Sequence, residues 1–158
     1  MFGFLWNYLY QNEQPVKPLT SNKNPDLNES PTDFYYLSLL NEGNGTWSIH
    51  GLWPQETIKK YPQYCKDVVF DIDLLDPIMD RLKDEWYSNR GADEIFWKHE
   101  YLKHGTCNFN NFNEYEYFKT ALDLFDKAMA LKLADKYYNS ETGKCLIPVN
   151  QQLNFFEI

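Results

Sequence analysis

All three histidines of the chain fall in two short segments, Trp47-Ser48-Ile49-His50-Gly51-Leu52-Trp53-Pro54 and Phe96-Trp97-Lys98-His99-Glu100-Tyr101-Leu102-Lys103-His104-Gly105-Thr106-Cys107. Histidine moves protons near neutral pH, so this clustering marks a candidate acid–base site. Within the second segment Glu100 and His104 stand four residues apart, as do His99 and Lys103, which on a helix brings each pair to about 40° of one another. A carboxylate beside a histidine favours its protonated form and holds the ring, while a lysine supplies fixed positive charge for an anionic transition state. A zinc centre of the His-Glu-x-x-His kind needs its histidines four apart. His99 and His104 are five apart, a rotation of about 140° that does not suit a shared tetrahedral ion. No metal and no other cofactor is expected. Two histidines on different elements supply the acid and the base of a concerted displacement. Neither segment holds a serine placed as an elbow nucleophile, and Cys107 follows a helix C-terminus, where the dipole disfavours a thiolate. The nucleophile is therefore expected from the substrate, a requirement met by an RNA 2′-hydroxyl beside its phosphodiester.

His50-Gly51-Leu52-Trp53-Pro54 and Phe96-Trp97-x-His99-Glu100-x-x-Lys103-His104-Gly105-Thr106-Cys107 resemble the two active-site motifs of the ribonuclease T2 family of acid, metal-independent endoribonucleases. Tyr101 stands where the family usually has tryptophan. The resemblance implies that His104 removes the 2′-hydroxyl proton and His50 protonates the departing 5′-oxygen. Glu100 and Lys103 would steady the phosphorane, and His99 would hold the phosphate. The implied product is a 2′,3′-cyclic phosphate, slowly hydrolysed to a 3′-phosphate. Single-stranded RNA is the implied substrate, and DNA should survive. Trp53 and Tyr61 occupy the places of the family's base-stacking aromatics, which suits weak base preference. Gln55 stands where some members carry an acid that reads the base edge; its amide both donates and accepts. Plainer readings exist for each residue: a lone histidine is more often structural, Leu52, Trp53, Phe96, Trp97 and Leu102 suit a core, and Tyr61 beside Pro62 suits simple loop packing. They do not account for three histidines in two motifs. The competing functional class is a weak or inactive relative that binds RNA or a protein. Retention of His50, His99, Glu100, Lys103 and His104 together argues against it. A metal-dependent hydrolase is already weakened by the spacing.

At 158 residues, 43% apolar and 18% aromatic, the chain can bury a sizeable core but has no room for a second domain of similar size. A compact catalytic domain is expected over 32–158, monomeric, behind a flexible arm over 1–31. That arm divides into an aromatic decapeptide, Met1 to Tyr10, and a polar stretch rich in Asn and Pro. The formal net charge of -8 argues against a general nucleic-acid coat, which needs a basic face. A cleft needs only local positive charge from Lys98, Lys103 and Arg90, and acidic pH would ease repulsion between protein and RNA. The first residues lack the n-region, h-region and cleavage site of a signal peptide, and no run is long enough to span a membrane. The resemblance nevertheless implies a secreted or endolysosomal compartment. Asn28-Glu29-Ser30 and Asn44-Gly45-Thr46 are glycosylation sequons.

Three cysteines leave at least one unpaired within a monomer. The resemblance pairs Cys65 with Cys107. Cys145 resembles the cysteine before the family's last strand, whose partner would lie just past Ile158; either the C-terminus is shortened or Cys145 is a buried free thiol, the blander reading. The chain reads as α+β, and the resemblance implies a central antiparallel sheet packed against several helices. Strands are expected over Phe34 to Leu40 and Trp47 to His50, the latter ended by Gly51 and Pro54. Helices are expected over Asp73 to Trp86, Glu94 to His104 with Gly105 as its stop, and Glu114 to Tyr138 with Phe118, Leu122, Phe125 and Met129 facing the core. Cys145 to Val149 and Leu153 to Ile158 read as closing strands. The resemblance covers roughly Asp33 to Ile158. It departs where the family's Trp-Pro and cysteine after the first strand give way to a short link, Asn41 to Thr46.

Overall fold

From Phe34 to Leu40 every side chain but Ser38 is aromatic or aliphatic, a pattern suited to a strand covered on both faces. In the computed structural model, which describes residues 30–158, it forms β1 (Phe34–Gly43). All but the last two residues of the expected N-terminal arm lie outside the described residues. Asn44 and Gly45, at φ 53° and 74°, turn the chain into β2 (Thr46–Gln55), in the twist that two-residue hairpins favour. Two further strands, β3 (Tyr138–Asn139) and β4 (Lys144–Val149), complete an antiparallel sheet of order β2-β1-β4-β3. The class is α+β, as expected; β3 was not anticipated.

β2 does not end at Gly51 or Pro54 but runs on to Gln55. It is the sheet's edge, where a proline forfeits no ladder bond. Gly51 is accommodated by a bulge: Ser38 pairs with Gly51 and Leu39 with Ile49, which leaves His50 as the extra residue. Ile49 and Leu52 consequently both reach the core at 0% exposure despite standing three residues apart. An edge strand has carbonyls without a partner strand. Those of His50 and Leu52 accept from Trp86 Nε1 at 3.1 Å and Tyr117 Oη at 2.7 Å.

The helices pack behind these strands. The expected helix from Asp73 is a 3-10 segment, Ile72–Ile78, before α1 (Met79–Glu85) begins. Pro77 lies inside the 3-10 segment, and its missing N–H and ring defer the α-helical ladder until after it. α2 (Asp93–Lys103) lies within a residue of expectation at each end. α3 (Glu114–Ala130) starts in a reciprocal cap between Asn113 and Glu116 and buries Phe118, Leu122 and Phe125, with Met129 half-buried. It does not continue to Tyr138: Lys132, at φ 55°, turns the chain into α4 (Leu133–Tyr137), which packs Ala134 against Cys145. Leu153 to Ile158 forms no strand. Asn150 curls the chain by bonding Leu153 and Asn154, leaving a single bridge between Val149 and Phe155.

Cys65 and Cys107 form the expected disulfide. It fastens the irregular segment 56–71 to the end of α2, beside hydrogen bonds from Tyr64 N to the Lys103 carbonyl (2.9 Å) and from Cys65 N to the Thr106 hydroxyl Oγ1 (3.1 Å). Cys145 is a buried free thiol whose pKa burial pushes up to about 12. No helix among the described residues is long and apolar enough to cross a membrane.

The disulfide closes a sequence separation of 42 residues, so chain entropy predicts that its loss costs about 3 to 4 kcal/mol. Urea unfolding of the Cys65→Ser/Cys107→Ser variant should show a lower midpoint and a steeper slope, because the denatured chain freed of the 42-residue loop exposes more surface.

Candidate active site

The bulge on β2 and the last turns of α2 bring the two histidine segments together. His50, the bulged residue, has its side chain 37% exposed, and its Nε2 lies 3.7 Å from Glu100 Oε1. That distance is too long for a hydrogen bond, and His50 is not held protonated. Burial, then His99, Arg90 and Lys103, lower its pKa below the ordinary 6.5.

Glu100 is 2% exposed. Its Oε2 accepts from Trp53 Nε1 at 2.9 Å. Gly51 makes this contact possible, because a Cβ there would overlap both Glu100 Oε2 and Trp53 Nε1. Burial raises the Glu100 pKa to about 7, against the opposing pull of the Trp53 bond and of Lys103.

His104 caps α2 and is 6% exposed. Its ring stacks on Trp53, with centroids 5.2 Å apart at 28°. Nδ1 is buried without a hydrogen-bond partner among the described residues. Burial first, then Lys103, His99 and His50, lower the His104 pKa to about 3. Gly105, expected as the helix stop, follows the end of α2 without a positive φ and opens the 3-10 turn Gly105–Cys107. A Cβ there would strike the Tyr101 ring, so glycine is required by close packing rather than by backbone handedness.

Two cavities meet at these residues. One, of about 320 Å³, is lined by His104, Trp53, Gln55, Tyr61, Lys103 and Lys144 together with His50, His99 and Glu100. The other, of about 430 Å³, shares the last three and is walled by Leu40, Phe96 and Tyr87 to Arg90. The structure thus gathers all five expected catalytic positions, and His99 is the exposed one on the wall between the cavities. Of the expected base-binding residues, Tyr61 is 47% exposed and tilted over His104 at 5.9 Å, with Lys103 Nζ 5.8 Å from its ring. One face of Trp53 is taken by His104, and Gln55 is buried with its amide on the Trp53 carbonyl at 3.4 Å. Lys144 and the Tyr87–Asn89 wall were missed. Lys144 arrives through the non-sequential strand order and leaves no local signal in the sequence. Among the described residues no group of His, Cys, Asp and Glu is arranged to hold a metal.

This geometry defines two histidines flanking a buried carboxyl group, with a lysine and a third histidine beside them, on the bulged edge of an antiparallel sheet. Residues 11–145 match the sequence model of the ribonuclease T2 family, and the chain belongs to that family. It is 33% identical to ribonuclease DdI of Dictyostelium discoideum over 89 residues, covering 55% of this chain and 40% of that protein. Ribonuclease 1 of Arabidopsis thaliana is 35% identical over 102 residues, covering 62% and 44%. The chain thus spans less than half the length of these curated relatives. Among solved structures, ribonuclease MC1 from bitter gourd seeds is similar with a TM-score of 0.53 and 31% identity, over 60% of this chain and 58% of that one. The RNase-related protein from Calystegia sepium shares the fold, with a TM-score of 0.64 and 19% identity over 82% and 91%.

Above pH 7 a buried Glu100 carboxylate is a liability. Its folded pKa is raised, so its contribution to stability is fully present below about 4.5 and lost as pH rises through about 7. Glu100→Gln, which keeps an acceptor for Trp53, should therefore gain on the order of 2 to 3 kcal/mol at pH 8 and little at pH 4. Urea unfolding at both pH values checks the difference; equal effects would show that the carboxyl is not held against its charge.

Proposed function

We propose that this chain is an endoribonuclease that cleaves single-stranded RNA by transphosphorylation. The observation that carries the reading is the pairing of a buried, neutral His104 with a partly exposed His50 across one carboxyl group, between two cavities. Neutral His104 takes the proton of the 2′-hydroxyl as its oxygen bonds to phosphorus. The bond from phosphorus to the 5′-oxygen breaks, and protonated His50 gives that oxygen its proton. Lys103 faces the negative charge that grows on the phosphorane, and His99 holds the phosphate from the exposed side. Below about pH 7 Glu100 is protonated, so it donates to a phosphoryl oxygen instead of repelling it. In the second step His50, now neutral, takes a proton from water. The resulting hydroxyl bonds to phosphorus of the cyclic phosphate, the bond from phosphorus to the 2′-oxygen breaks, and protonated His104 gives that oxygen its proton.

The two cavities fit the two sides of the cut. The nucleoside that keeps the 2′-hydroxyl belongs beside His104, where the open face of Tyr61 offers base stacking and Trp53 backs the general base. The departing nucleoside belongs beside His50, between Phe96 and the Tyr87–Arg90 wall. Stacking without a built hydrogen-bonding edge supports low base specificity. The disulfide supports an oxidising compartment, in line with a secreted or endolysosomal protein.

The pH dependence follows from the two histidines. His104 must be neutral, so kcat/KM should fall as pH drops through about 3. His50 must be protonated, so kcat/KM should fall as pH rises through a value below 6.5. With chelator present, the protein should cleave RNA but not matched DNA, leaving 2′,3′-cyclic ends. His50→Ala and His104→Ala should each lose about 10²- to 10⁴-fold. Intact RNA with a folded wild-type protein would favour a binding role instead.

A further inference from the structure

Glu42, near the end of β1, lines neither cavity. Its carboxylate nevertheless joins two groups that flank the reaction centre. Oε1 accepts from Ser48 Oγ at 2.5 Å, and Oε1 and Oε2 accept from Asn89 Nδ2 at 3.0 and 3.2 Å. Ser48 is fully buried on β2, two residues before His50. Asn89 belongs to the segment that walls the 430 Å³ cavity. The other hydrogen bonds of that wall among the described residues stay local, from Ser88 N to Asp93 Oδ1 (2.7 Å) and from Arg90 N to Ser88 Oγ (3.2 Å). Asn89, Arg90 and Gly91 are exposed, and the space around Gly91 is open. Only Glu42 ties the tip of this wall to the sheet among the described residues. The tie depends on the hairpin between β1 and β2: Ser48 pairs with Leu40, and Glu42 is the extra residue between the Asn41–Trp47 and Gly43–Thr46 pairs, from where its side chain reaches Ser48.

We propose that Glu42 is a positioning residue for the nucleoside on the 3′ side of the cut: it holds the cavity wall against β2 and so sets affinity for the leaving group without touching RNA. This rests on the ribonuclease reading. A charged acceptor serving two donors fixes geometry better than water would. Released from it, the wall must be ordered anew at each binding event, a cost that appears in affinity rather than in proton transfer.

The test compares two substrates in steady state, a dinucleoside monophosphate and a 2′,3′-cyclic mononucleotide. The second has no leaving nucleoside, so only water enters the wall's cavity. Glu42→Ala should raise KM for the dinucleotide about tenfold with kcat nearly constant. Hydrolysis of the cyclic nucleotide should be unchanged. Asn89→Ala should give the same rise in dinucleotide KM, and the double variant no more, because both remove one tie. Glu42→Gln keeps an acceptor and should recover most of the affinity. If Glu42→Ala does not fold because Ser48 is stranded, adding Ser48→Ala removes that hydroxyl and the comparison stands. Parallel losses on both substrates, an unchanged dinucleotide KM, or additive effects of Glu42→Ala and Asn89→Ala would each overturn the proposal. A folded wild type inert on both substrates would instead remove the ribonuclease reading, and this inference with it.

Discussion

Glu100 places a carboxyl group where water barely reaches it, and its neighbours are arranged by what that group requires. An ionised carboxylate buried without a cation costs several kcal/mol. Here the bonded partner is the neutral indole of Trp53, while Lys103 acts through space. The acid therefore titrates near 7 instead of holding a charge through the acidic range. For the indole to reach it, position 51 can carry no side chain. Trp53, once fixed by that bond, stacks on His104 and meets His50 in a T-shaped contact, with ring centroids at 5.2 and 5.0 Å. One buried acid thus fixes the relative placement of His50 and His104.

Such an arrangement needs a rigid support, because β2 is an edge strand interrupted at the residue that matters. The support comes from aromatic side chains with polar ends. Trp97 donates to the Trp86 carbonyl at 2.6 Å, and Trp86 in turn donates to the carbonyl of His50. Tyr117 does the same for Leu52 on the far side of the bulge. The bodies of these residues interlock in the core: Trp86 lies on Phe118 at 4.8 Å and Tyr101 on Tyr117 at 5.6 Å. Burial of these large rings supplies the hydrophobic stabilisation, while their N–H and O–H groups hold the bulge from both sides. The same residues therefore do the packing and the positioning, and the strand cannot slip register without stranding two carbonyls.

Much of the site was readable because its chemistry is local in sequence. The spacing of His99, Glu100, Lys103 and His104 aligned His99 with Lys103 and Glu100 with His104, and α2 with its C-cap His104 carries them. The bulge was missed although the sequence carries its signature: Ile49 and Leu52 are three apart, which breaks the two-residue period of a strand, and a glycine stands between them. The split of α3 from α4 was not readable, because the helical period continues through Leu131. It is set by the packing of Ala134 on β4, which only the tertiary structure supplies. The curl at Asn150 overrode the strand propensity of Phe155 and Phe156 through side-chain bonds to backbone, a local competition that propensity does not weigh. The walls of the cavities were invisible for a different reason: Lys144 and Asn89 acquire meaning only from what lies across from them.

The opposite displacements of Glu100 and His104 explain how one site can bury an acid and a base together. Between about pH 4.5 and 6.5 the unfolded chain carries a deprotonated Glu100 and a protonated His104, two charges and one proton. In the folded protein Glu100 holds a proton and His104 does not, again one proton but no charge. Folding has in effect moved the proton from the histidine to the carboxyl group. Because the number of bound protons is the same on both sides, this pair contributes no slope to stability across that interval. Either group buried alone would impose one: His104 would lose stability as pH fell below 6.5, and Glu100 would lose it as pH rose above 4.5. Held together, they let a partly desolvated acid–base site persist in the acidic range. On the ribonuclease reading proposed above, the unprotonated imidazole is there ready to accept a proton, and the neutral carboxyl group does not repel a phosphodiester.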